Sequence, residues 1–72
     1  MATLTAMQVT ANGTTVELPD GATIAVLLDQ MGLTGRVVVV ERNGEPVDRR
    51  AVATTPLHPG DRCEIVRAVA GG

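Results

Sequence analysis

Met7-Gln8-Val9-Thr10-Ala11-Asn12-Gly13-Thr14-Thr15-Val16-Glu17-Leu18 sets two short, weakly alternating runs on either side of an Asn-Gly pair. A two-residue type I′ turn needs positive φ at both central positions, which asparagine and glycine tolerate best, so this stretch predicts a β-hairpin. Pro19-Asp20-Gly21 closes the second strand. Thr23 then stands where a helix N-cap belongs, and Ile24, Leu27, Leu28 and Met31 follow at i, i+3, i+4 and i+7. Gly32 is the expected C′ residue, where a left-handed conformation stops a helix. A helix of about two turns does not stand alone in water. Its apolar stripe must therefore pack on a sheet.

The rest of the chain supplies that sheet. Arg36-Val37-Val38-Val39-Val40-Glu41 predicts a strand, and its consecutive valines make both faces apolar. Asn43-Gly44 predicts another turn, and Glu45-Pro46-Val47 a short edge strand, because Pro46 cannot donate to a ladder. Residues 48–59 read as loop with one helical turn at most, broken at Pro56 and Pro59. Gly60-Asp61 is a turn before a last strand, Arg62-Cys63-Glu64-Ile65-Val66-Arg67-Ala68-Val69. The expected architecture is α+β in two layers: a mixed sheet of four to five strands with one main helix on one face. The expected boundaries are an N-terminal extension over residues 1–6, a folded domain over 7–69 and a flexible Ala70-Gly71-Gly72 tail.

Composition narrows the function classes. At 72 residues the chain is one domain, and a domain this small buries only about 60% of the surface its unfolded chain exposes. That thin core leaves no room for an enclosed active site. The chain has no Phe, Trp or Tyr, so its core is aliphatic and no ring is available to stack on bases. A net charge of −2 gives no basic footprint for nucleic acid. No apolar run is long enough to span a membrane, and Met1-Ala2-Thr3-Leu4-Thr5-Ala6 lacks the basic-then-apolar pattern of a signal peptide; a cytoplasmic location is expected. One cysteine and one histidine build neither a disulfide nor a metal cage.

Gly60-Asp61, a strand, and then Val69-Ala70-Gly71-Gly72 resemble the ubiquitin-like β-grasp sulfur carriers, and most of all the thiamine-pathway carrier family, ThiS. Met7-Gln8-Val9 resembles that family's usual start. Val47 and Arg49 resemble its Val-Pro-Arg segment, with Asp48 where the proline would be. The resemblance covers residues 7–72, and its specific part is Ala70-Gly71-Gly72 at its spacing from Gly60-Asp61. It implies a ubiquitin-like β-grasp fold and a protein that is not itself an enzyme. It also implies that the Gly72 carboxylate is adenylated by a partner that uses ATP, then converted to a thiocarboxylate whose sulfur enters a thiazole ring. The implied partners are an adenylating enzyme, a persulfide sulfur donor and thiazole synthase; no cofactor or metal is expected on the chain itself.

The chemistry explains the residue types. Carboxylate is a poor sulfur acceptor because oxide is a poor leaving group, and an acyl adenylate removes that obstacle. Glycines at 71 and 72 allow close backbone approach in a narrow pocket, with Ala70 nearly as slender. Five extended residues, 68–72, reach at most about 17 Å. Val66 and Ala68 share the parity of Glu64, opposite to Cys63 and Ile65. If Ile65 faces the helix, Val66 and Ala68 face outward, and with the valines of 37–40 they form a candidate docking patch. Arg67, nearest the tail, is the best placed of the arginines to steer an acidic partner. Cys63 is expected to pack inward as an inert thiol, and His58 to be a solvated loop residue without a carboxylate partner.

All six basic residues are arginine. No ε-amine could therefore capture an activated acyl end within the chain, although coding bias alone accounts for that composition. Three other readings stay open at this stage. They are a molybdopterin-synthase small subunit, a ubiquitin-like modifier ligated to lysines, and a β-grasp interaction module with an idle tail. The first family carries prolines before its Gly-Gly, and Arg67-Ala68-Val69-Ala70 has none.

Overall fold

The computed structural model describes residues 6–68. Its elements run β1 Ala6–Ala11, β2 Thr14–Pro19, α1 Ile24–Gln30, β3 Val38–Arg42, β4 Glu45–Val47, a 3-10 turn Arg49–Ala51, and β5 Arg62–Arg67. The five strands form one sheet in the order β2-β1-β5-β3-β4. β1 pairs antiparallel with β2 and parallel with β5, while β3 pairs antiparallel with both β5 and β4. This is the mixed sheet with one helix that the sequence predicts.

The local signals act as expected. Asn12 and Gly13 take φ of 51° and 80°, the type I′ pattern, and Asn43 and Gly44 repeat it at 52° and 82°. The Thr23 side chain accepts the Val26 N–H at the start of α1. At its end, Gly32 N–H donates to Asp29 and Leu33 N–H to Leu28, a Schellman closure that relies on the φ of 74° at Gly32.

Helix and sheet enclose one aliphatic core. Met7, Val9 and Ala11 of β1, Leu18, Ile24, Leu27, Leu28, Val40, Cys63 and Ile65 are buried, and Ala22 and Leu57 close it from the loops. Each fully buried Leu or Ile contributes roughly 1.5–3 kcal/mol. Residues 48–59 cover the N-terminal end of α1: Ile24 N–H donates to Thr55 and Ala25 N–H to Val52. The loop therefore packs on the helix side of the sheet, with Val52 and Leu57 against the core.

Three boundaries differ from the sequence reading. Ala6, assigned there to the extension, is the first residue of β1 and pairs with Pro19. The valine strand begins at Val38 rather than Arg36, because a turn in which Arg36 N–H donates to Leu33 precedes it. β5 ends at Arg67, although Ala68 N–H still donates to Val37.

Candidate functional site

The end of β5 is held from both sides before the chain passes beyond the described residues. On one side β3 pairs with it, placing Val39 opposite Val66 and Val38 opposite Arg67. On the other side β1 pairs only at Thr10 and Ala11, opposite Arg62 and Cys63. Past that point the Asn12 side chain takes over. Its Oδ1 accepts the Ile65 N–H at 2.7 Å and its Nδ2 donates to the Ile65 carbonyl at 3.0 Å. Asn12 N–H also donates to Cys63 at 2.9 Å. A turn side chain thus imitates a strand's peptide group and continues the ladder.

Asn43 does the same work at the start of β5. Its N–H donates to the Arg62 carbonyl at 2.7 Å and its Oδ1 accepts the Arg62 N–H at 2.9 Å. Its Nδ2 donates to Asp61 Oδ1 at 3.0 Å, while Asp61 Oδ2 accepts the His58 N–H at 2.8 Å. Arg42 lies 3.9 Å from Asp61 Oδ2 and donates to the Pro56 carbonyl. Burial opposes ionisation of Asp61, but the hydrogen bonds from Asn43 and His58, with the charges of Arg42 and His58, outweigh it. The carboxyl is held below its ordinary range. The Gly60-Asp61 motif is therefore a structural anchor for β5, stitched to β1 by Gly60 N–H to Gln8 and Thr10 N–H to Asp61.

These anchors present an apolar face. Val37, Val39 and Val66 are 59%, 56% and 63% exposed, while their neighbours Val40 and Ile65 are buried. Val66 points away from the helix side, as the strand parity predicts, and Ala68, just past β5, is exposed. Among the described residues nothing covers them. Glu41 and Glu64, register partners on the same face, border the patch.

Arg67 does not join it. Its register partner Val38 packs against the core, so Arg67 belongs to the side of the sheet that carries the helix. Parity separates it from Val66 and Ala68, even though it is sequence-adjacent to both. The remaining site residues, Ala70, Gly71 and Gly72, lie outside the described residues, as does Val69.

Two single residues resolve clearly. Cys63 is 1% exposed, and burial, reinforced by the Asp61 charge, pushes its thiol pKa up. A protonated, enclosed thiol is no sulfur nucleophile. His58 is exposed, as predicted, but it does have a carboxylate partner: its Nδ1 lies 4.0 Å from Asp61 Oδ2. The spacing His58-Pro59-Gly60-Asp61 was the available signal, since a turn brings i and i+3 together.

The sequence profile of the ThiS family matches residues 3–72. The chain resembles the crystal structure of a thiamine biosynthesis protein (ThiS) from Geobacter metallireducens with a TM-score of 0.76 and 29% identity, covering 92% of this chain and all of that one. The solution structure of a thiamine biosynthesis protein from the same organism gives a TM-score of 0.72 and 32% identity, covering 92% and 88%. A thiazole synthase from Paramagnetospirillum magneticum is 35% identical over 66 residues; the match covers 92% of this chain and 20% of that protein's length. The fold is that of the ubiquitin-like β-grasp domains. The chain belongs to the ThiS family. No helix among the described residues is long and apolar enough to cross a membrane.

Proposed function

We propose that this chain is a sulfur carrier for thiazole formation in thiamine biosynthesis, acting as a co-substrate of partner enzymes. Its family membership over residues 3–72 carries the reading. In the proposed cycle the Gly72 carboxylate oxygen attacks the α-phosphorus of ATP on an adenylating partner. Pyrophosphate leaves and an acyl adenylate remains. Hydrosulfide then attacks the acyl carbon, AMP departs with the bonding pair, and a proton is released, leaving a thiocarboxylate. With a persulfide donor the terminal sulfur displaces AMP instead. The resulting acyl disulfide needs a thiol on the donor to release the thiocarboxylate, the donor ending as a disulfide.

The geometry supports a division of labour. Ordering each tail residue costs roughly 1–2 kcal/mol, so the tail by itself offers little affinity. The exposed Val39 and Val66 face lies beside the end of β5 and would supply docking energy at roughly 25 cal/mol per Å² buried. The thiazole synthase that carries a segment like this chain supports the acceptor. A carrier portion and a synthase portion in one polypeptide would raise the concentration of one at the other.

The test incubates the chain ending at Gly72 with ATP, the cognate adenylating enzyme and sulfide, and reads intact mass. The expected product replaces one oxygen by sulfur. A chain lacking Gly72, or carrying one extra residue that is not clipped, should fold normally and gain nothing. An isopeptide conjugate would point to a modifier, and full activity of the extended chain would overturn the assignment.

A further inference from the structure

On the side of the sheet opposite Val39 and Val66, the core is not fully closed. A cleft of about 260 Å³ opens between the C-terminal half of α1, β3, β4 and the 3-10 turn. Leu28, Val38, Val40, Val47 and Val52 form its aliphatic floor, Val37 lines its edge, and Arg36 and Arg49 stand at its lining. Neither arginine makes an ion pair or a side-chain hydrogen bond among the described residues. Asp48, next to Arg49 in the chain, is paired with Arg50 at 3.0 Å. Arg67, displaced by parity from the open face, adds a third positive charge on this side of the sheet.

We propose that this cleft is a second docking site, for an acidic peptide segment of a partner protein that places one aliphatic or aromatic side chain on the floor and sets carboxylates beside Arg36 and Arg49. The volume suits one side chain and is below the roughly 300–1,000 Å³ of typical small-molecule pockets. An anchor residue in a small apolar pocket with a charged rim is the usual anatomy of a peptide hot spot. Arginine supplies the fork geometry that pairs with carboxylate. The free charges select the sign of the occupant: a basic segment would be repelled and a neutral one would leave both guanidiniums unused. The floor of the cleft lies on the opposite side of the sheet from Val39 and Val66, and Val37 stands at the edge between the two surfaces. This inference goes beyond the carrier reading and does not depend on the tail.

The test is an amide NMR titration of the whole chain with a capped peptide, Asp-Glu-Leu-Asp-Glu, and with its neutral counterpart, Asn-Gln-Leu-Asn-Gln. Shifts should map to Leu28, Val38, Val47, Val52 and Arg49. The acidic peptide should bind at least about tenfold tighter than the neutral one and weaken as salt rises. R36E/R49E should weaken it by a further tenfold or more, with R36Q/R49Q as the milder variant should the charge reversal disturb the fold. Failure would be plain. The proposal falls if no shifts appear at millimolar peptide, if they fall on Val39 and Val66, if the neutral peptide binds equally, or if the folded arginine variants bind unchanged. None of these outcomes bears on thiocarboxylate formation, which is read separately by mass.

Discussion

Asn12 grips Ile65 across a separation of 53 residues through both backbone groups, with its own backbone already committed to the first hairpin turn. One residue thus fixes a local turn and a non-local strand. The two roles can be separated by substitution. Asn12→Gly keeps the tolerance for positive φ and loses the clamp, whereas Asn12→Ala loses both. Leaving the buried Ile65 groups with weaker partners should cost about 2 kcal/mol in the glycine variant, and the alanine variant should cost about 1 kcal/mol more. Urea unfolding curves would measure both. A neutral glycine variant would show that only the turn geometry matters.

The depressed pKa of Asp61 makes a statement about acid stability. Its folded-state value lies below the ordinary value of about 3.9. The stabilisation is therefore fully present above that ordinary value and is lost as pH falls through the lower, folded value. Unfolding midpoints should be flat near neutrality on this account and should drop below about pH 4. Asp61→Asn should be less stable at pH 7 and should show a shallower acid limb. An unchanged acid limb would assign acid sensitivity to other carboxylates.

Val66→Asp tests the open face. A surface substitution usually changes stability by within about 0.5 kcal/mol, so the melt of the free domain should be nearly unchanged. On the proposed carrier function, binding to an adenylating enzyme should weaken by on the order of tenfold or more, because an unpaired carboxylate would be desolvated. Unchanged binding in titration calorimetry would remove Val66 from the interface.

Cys63→Ala should leave the proposed thiocarboxylate formation intact, since the thiol is buried and its pKa is raised. The lost packing should cost about 1 kcal/mol. Alkylation of the native chain by iodoacetamide should be slow and should accelerate with urea. Loss of sulfur loading in the folded variant would restore a role for the thiol.

The elements most legible in the sequence are those set by neighbours along the chain. The Asn-Gly turns, the Thr23 cap, the Ile24, Leu27 and Leu28 stripe, and the outward parity of Val66 all rest on short-range periodicity, and the structure agrees. Contacts between distant segments are not encoded that way. Nothing near Asn12 announces Ile65, and the Arg36 and Arg49 cleft exists only because β3, β4 and α1 meet there. The side taken by Arg67 is legible too, because a strand's period of two sets it with Cys63 and Ile65 and apart from Val66.

Asn-Gly pairs are also the sequences most prone to spontaneous deamidation, because glycine leaves the following nitrogen free to attack the side-chain amide. Asparagine is among the thermolabile residues for that reason. Both turns of this chain carry the pair, and in both the side chain is held away by hydrogen bonds to β5. Ageing should therefore be slow while the fold persists and rapid once it opens. At Asn12 the damage would also reinforce itself. The new carboxylate would face the Ile65 carbonyl that the amide once served, so each deamidated molecule would be less able to refold than the last intact one.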